Sequence, residues 1–95
     1  MHGYFIFELD VFDRAEFEKY TSIARPLLAE YGASIVVNST SIEHLEGDWK
    51  PSSIVIAKFP SVEAARAFYD STEYRKAAVL RDKSARSRGV LVESQ

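Results

Sequence analysis

Apolar positions along this chain follow two periods, alternation and a repeat of about 3.6 residues, and the changes between them mark strands and helices. Residues 3–11 are rich in aromatic and β-branched side chains and predict a first strand. Asp13 and Glu16 form a capping-box pattern, which predicts that a helix begins there. An apolar stripe at helical spacing follows, made of Phe17, Tyr20, Ala24, Leu27, Leu28 and Tyr31.

Two residues are expected to shape the end of this first helix. Pro26 lacks an N–H and crowds the carbonyl of Ser22, so a kink is expected at that point. Gly32 follows the last apolar position, and glycine there favours helix termination.

The middle of the chain predicts a hairpin. Residues 34–45 read as a long second strand, and residues 53–59 as a third. The turn-rich link 46–52 is short, which favours antiparallel pairing. Pro60 ends the third strand, and Ser61 is expected to cap the next helix.

The second helix is predicted to have a break in its middle. Its first part has an apolar side, and residues 71–73 then interrupt the pattern, with Thr72 as the expected cap of the second part. A helical face follows, made of Tyr74, Ala77, Ala78, Arg81 and Ala85. Residues 89–93 predict the last strand.

This order, β-α-β-β-α-β, predicts an α+β fold of the ferredoxin-like type in one domain, residues 1–95. It has a four-stranded antiparallel sheet with helices on one face. The other face should be polar if it meets water, yet three of the four strands are apolar on both sides. A second copy of the sheet is therefore expected to cover it, giving a homodimeric barrel, and the edge strand 34–45 is a further place for partner contacts.

Composition and charge narrow the class of protein. The chain has no cysteine, no basic and apolar leader, and no apolar run of the roughly 20 residues that span a bilayer. A cytoplasmic protein without a membrane partner is expected. The net charge of −2 argues against nucleic acid as a partner. Residues 1–48 have a net charge of −6 and residues 49–95 a net charge of +4. These halves either form two solvated surfaces or provide acidic and basic faces that meet on self-association.

An ordered set of residues resembles the family called domain of unknown function 1330, in the dimeric α+β barrel superfamily. The set comprises Asp10, Tyr20, Pro26, Gly32, Leu45-Glu46-Gly47, Trp49, Pro51, Phe59-Pro60-Ser61, Ala65, Tyr69, Tyr74 and Arg81. The chain departs from the family at residues 37–40, where relatives often have a glycine-rich basic segment, and at Thr72, where many have proline. The resemblance implies the fold and the dimer but no reaction, since the wider group holds cofactor-free oxygenases, haem-degrading enzymes, isomerases and binding proteins.

Arg81 is the first candidate for a ligand-binding residue, because it shares a helical face with Tyr74 and two alanines. A cation on such a face needs a negative partner. Either an acidic side chain supplies it, with Asp10, Glu8 and Glu46 as candidates, or a ligand carboxylate does.

The aromatic candidates for ligand binding are Tyr20, Tyr69, Tyr74 and Trp49. The tyrosines either present hydroxyls to a pocket or pack in the core with each hydroxyl on a protein partner. Trp49 either covers the entrance of a pocket or packs across the hairpin or the seam between subunits.

Catalytic candidates are weaker. His44 alternates with Ile42 and Glu46 in the predicted second strand, and histidine is the residue type best suited to act as a general base near neutral pH. Asp10 follows the first strand. His2 is a lesser candidate. No metal site, haem or other cofactor is expected, because the ligand spacing of a zinc site and the phosphate-loop and nucleophile motifs are missing.

Two kinds of function fit these residues. One is a homodimer that binds a small anionic or aromatic molecule between sheet and helices, and whether it is also a cofactor-free acid–base enzyme, like an oxygenase or isomerase, stays open. The other is a non-catalytic dimeric module. A cavity beside Arg81 without a carboxylate partner would favour ligand binding.

Overall fold

The computed structural model describes residues 1–95 and has seven elements of secondary structure. They are β1 (Gly3–Val11), α1 (Arg14–Glu30), β2 (Ser34–Ser39), β3 (Ile54–Phe59), α2 (Val62–Asp70), α3 (Thr72–Ser84) and β4 (Ala85–Glu93). The strands form one antiparallel sheet in the order β2-β3-β1-β4. This arrangement confirms the ferredoxin-like fold, with the second helix divided at the predicted break.

The core lies between the helices and one face of the sheet, here called the helix face. Strand register places Phe5, Phe7 and Leu9 of β1 on that face, because Phe5 pairs with Ala57 and alternate residues share a side. Phe5 and Phe59 are 5.1 Å apart between ring centroids, and Phe68 and Tyr74 are 4.5 Å apart. Each buried ring of this kind stabilises the fold by about 2 kcal/mol.

Side-chain caps set where the helices begin. The Asp13 carboxylate accepts the Glu16 N–H at 3.2 Å, as predicted. The reciprocal half of the capping box is not formed, since the Asp13 N–H donates to the Ser84 carbonyl and Glu16 pairs with Lys19. Pro26, where a kink was expected, lies inside α1, and the helix continues past it to Glu30.

The break between α2 and α3 differs from the prediction in its cap. Ser71, rather than Thr72, accepts the N–H of Tyr74 at 3.1 Å, and Thr72 is the first helical residue. At the end of α1, Gly32 has a φ of +75°, the left-handed conformation expected of a helix stop.

The second strand was predicted to be too long. It ends at Ser39 instead of residue 45, and its pairing with β3 shifts between Ile35 and Val37. The Ser39 hydroxyl accepts the Ser41 N–H at 3.0 Å, so a side chain takes the backbone donor that a longer strand would have paired. The connection 40–53 therefore has no regular structure and carries His44.

The last strand was predicted to be too short. It begins at Ala85 rather than residue 89, because Arg86 pairs across the sheet with Asp10 and Arg88 with Glu8. Opposite charges on neighbouring strands favour this register.

The sheet face away from the helices, here called the open face, is apolar at its centre. One row crosses all four strands and consists of Val37, Ile56, Ile6 and Val90. Val90 is 59% exposed in the single chain. The two-sided apolar pattern of the central strands is therefore a feature of the structure, and this face has no helix to cover it.

Candidate functional site

A cleft of about 520 Å³, here called the larger cleft, lies between α1 and the helix face. It exists because α1 packs mainly against α3 and stands away from β3. Its apolar lining includes Phe7, Leu9, Phe17, Tyr20, Leu28 and Val55. Its charged lining consists of Asp10, Arg14, Glu18 and Arg25, two acids and two bases that balance each other.

A second cavity of about 340 Å³, here called the smaller cavity, lies on the helix face near β4. Its lining residues are Phe5, Phe7, Arg66, Tyr69, Arg81, Ser87, Gly89, Val90 and Leu91. Phe7 lines both cavities. Gly89 is required for this arrangement, since a Cβ at that position would overlap the Phe7 ring.

A chain of hydrogen bonds crosses the core between the two cavities. The Arg81 Nη1 donates to the Tyr74 hydroxyl at 2.9 Å, and the Tyr74 and Tyr20 hydroxyls are 2.8 Å apart. Either hydroxyl can donate in the second contact. When Tyr74 donates to the Tyr20 oxygen, the Tyr20 proton is available to a further partner, and the Tyr20 side chain lines the larger cleft.

Burial and charge fix the protonation of this chain at neutral pH. Burial, reinforced by Tyr74, raises the pKa of Tyr20 well above its ordinary value, so Tyr20 is a neutral donor and not a base. Burial acts to lower the pKa of Arg81, but Tyr74, Tyr20 and Asp82 outweigh it and raise that pKa. A cation therefore stands at one end of the chain and a neutral phenol at the other.

None of the three carboxylates expected to pair with Arg81 does so. Glu8 lies 3.6 Å from Arg88, and Asp10 lies 3.8 Å from Arg86. Glu46 makes no ion pair and is exposed. Arg81 instead contacts Asp82, its neighbour in sequence, at 3.3 Å, and its guanidinium lies 5.3 Å from the Phe7 ring centroid.

The other predicted site residues fall in different places. Tyr69 lines the smaller cavity, and the Arg75 guanidinium lies 4.2 Å from its ring centroid. Trp49 lines neither cavity, is 52% exposed, and donates its indole N–H to Glu8 on the open face at 3.1 Å. His44 is exposed on the connection 40–53 and lines neither cavity.

Gly89, Phe7 and Arg66 are among the lining residues that were not singled out from the sequence. Gly89 had a signal, because an isolated glycine in a strand often marks a close approach. Phe7 looked like any alternating core residue, and Arg66 like any solvated helical arginine. The structure brings together no group of three or more His, Cys, Asp or Glu side chains able to hold a metal ion. None of its helices has the length and apolar character needed to cross a membrane.

Comparisons with known proteins agree with the fold. The profile of a family described as domain of unknown function (DUF1330) matches residues 2–95. No curated protein matches the sequence. A solved protein of unknown function from Rhodopseudomonas palustris is 18% identical, with 99% of this chain and 82% of that chain covered and a TM-score of 0.81.

Two further solved structures are similar. A dimeric ferredoxin-like protein of unknown function from Jannaschia sp. CCS1 is 14% identical, with 99% and 100% covered and a TM-score of 0.76. SnoaB, a cofactor-independent oxygenase from Streptomyces nogalater, is 19% identical, with 99% and 93% covered and a TM-score of 0.70. At these identities the likeness concerns the fold.

Proposed function

The chain belongs to the DUF1330 family of domains of unknown function, and we propose that it is a homodimer that binds a small aromatic molecule in the larger cleft. The ligand carries an oxygen, neutral or anionic, that accepts a hydrogen bond from Tyr20. The observation that carries this proposal is the hydrogen-bonded chain from the buried Arg81 through Tyr74 to Tyr20, whose side chain lines the larger cleft.

The larger cleft has the composition of a small-molecule site. Its volume of about 520 Å³ lies within the range of ligand pockets, and half of its lining residues are hydrophobic. Phe17 and Tyr20 offer ring surface at 5.3 Å between their centroids. A hydroxyl donor that is linked to a cation, as Tyr20 is to Arg81, makes its strongest hydrogen bond to an oxygen that bears negative charge.

The homodimer is supported by the open face. The apolar row through Ile6 and Ile56 has no cover within one chain, and contiguous apolar faces are rarely left in water. On the same face, Glu8 and Arg88 pair with each other, so the face presents few unpaired charges to a second copy. A two-fold axis would place this face against itself.

The ligand proposal is tested with Prodan, a fluorescent naphthyl ketone whose emission reports hydrogen bonding to its carbonyl. Prodan is expected to bind, and Tyr20→Phe to weaken binding roughly tenfold, since a hydrogen bond is worth about 1 kcal/mol or more in a dry site. The emission of the bound dye should shift to shorter wavelength in the variant. Tyr31→Phe is the control, because Tyr31 lines neither cavity. Equal affinity and emission in wild type and Tyr20→Phe would contradict the proposal.

The dimer is tested with two matched substitutions of exposed valines. Val90 lies on the open face and Val79 on α3, at 59% and 53% exposure. Val90→Glu should give monomers in light scattering, because each dimer would bury two unpaired carboxylates. Val79→Glu should stay dimeric. A wild-type monomer at micromolar concentration, or a dimeric Val90→Glu, would exclude this interface.

A cofactor-free acid–base enzyme is the second candidate, and Asp10 in the lining of the larger cleft favours it. Its carboxylate is 60% exposed and lies 3.8 Å from Arg86. Tyr20 would stabilise the enolate oxygen that forms. Accelerated deuterium exchange beside the Prodan carbonyl, lost in Asp10→Asn, is expected of an enzyme, whereas a non-catalytic module would show no acceleration.

A further inference from the structure

The smaller cavity carries positive charge that no carboxylate in its lining balances. Arg66 and Arg81 line it, and no Asp or Glu does. Their acidic partners stand outside the lining, with Asp82 at 3.3 Å from Arg81 and Asp70 at 3.9 Å from Arg66. Both carboxylates are more than half exposed, and such pairs neutralise a cation only weakly.

Arg81 has hydrogen-bonding capacity that the protein does not use. The residue is 8% exposed and donates from Nη1 to Tyr74 and from Nη2 to Asp82. Its Nε–H is buried and has no partner. An unpaired buried donor is unfavourable, and a guanidinium can bind a carboxylate through two parallel hydrogen bonds. The unused donors belong to a residue that lines the cavity.

The other walls of the smaller cavity are apolar. Rings of Phe5, Phe7 and Tyr69 line it together with Leu91, and Phe5 and Tyr69 are 5.6 Å apart in an edge-on arrangement. A volume of about 340 Å³ is at the small end of ligand pockets. Apolar walls and two guanidinium groups together suit an anion with an attached ring better than a fully hydrated anion.

We propose that the smaller cavity binds a small aromatic carboxylate, with its carboxylate on Arg81 and Arg66 and its ring against Phe5 and Tyr69. This site is distinct from the larger cleft, and the naphthyl ketone of the preceding test carries no anion to occupy it. The two proposals therefore stand or fall separately.

The test is a titration of the isotope-labelled protein with benzoate, followed by nuclear magnetic resonance. Saturable shifts are expected for the amides of Ser87 and Gly89 and for the Nε–H of Arg81. Arg66→Gln should weaken binding roughly tenfold, the value of one charge-assisted hydrogen bond. Arg25→Gln is the matched control, because Arg25 is also an exposed helical arginine but lines the larger cleft.

Arg81 is tested by Arg81→Lys, which keeps the charge and the long stem but removes the planar fork. Binding of benzoate should fall at least tenfold while the protein remains folded by circular dichroism. If Arg81→Lys unfolds, Arg66→Gln decides the question, because Arg66 is exposed and its substitution leaves the core intact.

Two further probes, one a neutral aromatic alcohol and one an inorganic anion, define what would overturn the proposal. Benzyl alcohol, which keeps the ring without the charge, should not bind. Inorganic phosphate should bind more weakly than benzoate, and equal affinity would overturn the carboxylate assignment by removing any role for the ring. Benzoate shifts confined to Thr21 and Asn38 in the larger cleft, without shifts at Ser87 and Gly89, or shifts that do not saturate, would overturn it as well.

Discussion

The two cavities share one face of one sheet and one aromatic wall, yet their electrostatics differ. The larger cleft is balanced in charge, while the smaller cavity has two arginines and no acid. The chain from Arg81 through Tyr74 to Tyr20 connects them. A single buried cation thus lines the smaller cavity and is linked to the larger cleft through two phenols.

A small domain can thus hold two cavities of different electrostatics in one core. A domain of 95 residues has a small interior, so a wall residue such as Phe7 bounds both spaces. The difference between the sites then rests on a few polar atoms rather than on separate folds. Substitutions along the connecting chain should separate the two sites.

The largest effect is expected from Tyr74→Phe, which cuts the chain at its centre. Arg81 would lose a buried charge-assisted hydrogen bond, and the Tyr20 hydroxyl would lose its partner. We expect the free energy of unfolding to fall by about 3 kcal/mol, measured by urea unfolding at fixed protein concentration.

Tyr31→Phe is the control for this loss, because the Tyr31 ring packs on Phe68 and its hydroxyl makes no hydrogen bond in the structure. Its effect should stay within about 0.5 kcal/mol. A loss for Tyr74→Phe as small as that of Tyr31→Phe would mean that the chain does not join the two cavities energetically.

Local patterns were sufficient to predict the first strand, the helix caps at Asp13 and Ser61, and the ferredoxin-like order, because each depends on neighbours within a few residues. The start of β4 was not predicted. Its signal lies in alternate arginines that face acidic residues on β1, about 75 residues earlier in the chain. Register across a sheet is not visible in one segment alone.

The residues of the candidate site were predicted in part, and their arrangement in space was not. Arg81, Tyr74 and Tyr20 were recognised as polar groups on apolar helical faces, and the structure brings these three together. The placement of Tyr20 in one cavity and Arg81 in another was not predictable, because it depends on how far α1 stands from the sheet and on the space that Gly89 leaves for Phe7.

An intermediate effect is expected from Gly89→Ala, which tests the wall between the cavities. The new methyl group would overlap the Phe7 ring and force it to move. Overpacking of this kind costs about 2 kcal/mol and should also reduce benzoate binding, because Gly89 lines the smaller cavity.

A double-mutant cycle makes that interpretation specific. Phe7→Leu removes the ring edge that the new methyl group meets, so the double variant should lose less stability than the sum of the two single changes. Additive losses would show that the alanine acts on something other than Phe7.

The smallest effect is expected from Tyr20→Phe, and it depends on pH. At neutral pH the loss of one hydrogen bond should cost about 1 kcal/mol. Burial raises the pKa of Tyr20 above its ordinary value of 10.0, so the unfolded chain releases this proton before the folded protein does. The stability from the neutral phenol is therefore complete below pH 10 and is lost as pH rises toward the folded pKa, with a slope of at most about 1.4 kcal/mol per pH unit. In urea titrations, Tyr20→Phe should therefore reduce the fall of the unfolding free energy with pH above pH 10 by that amount. If the unfolding free energies of wild type and Tyr20→Phe fell in parallel, Tyr20 would ionise as freely in the folded protein as in the unfolded chain. That result would remove the basis for treating Tyr20 as the fixed donor of the larger cleft.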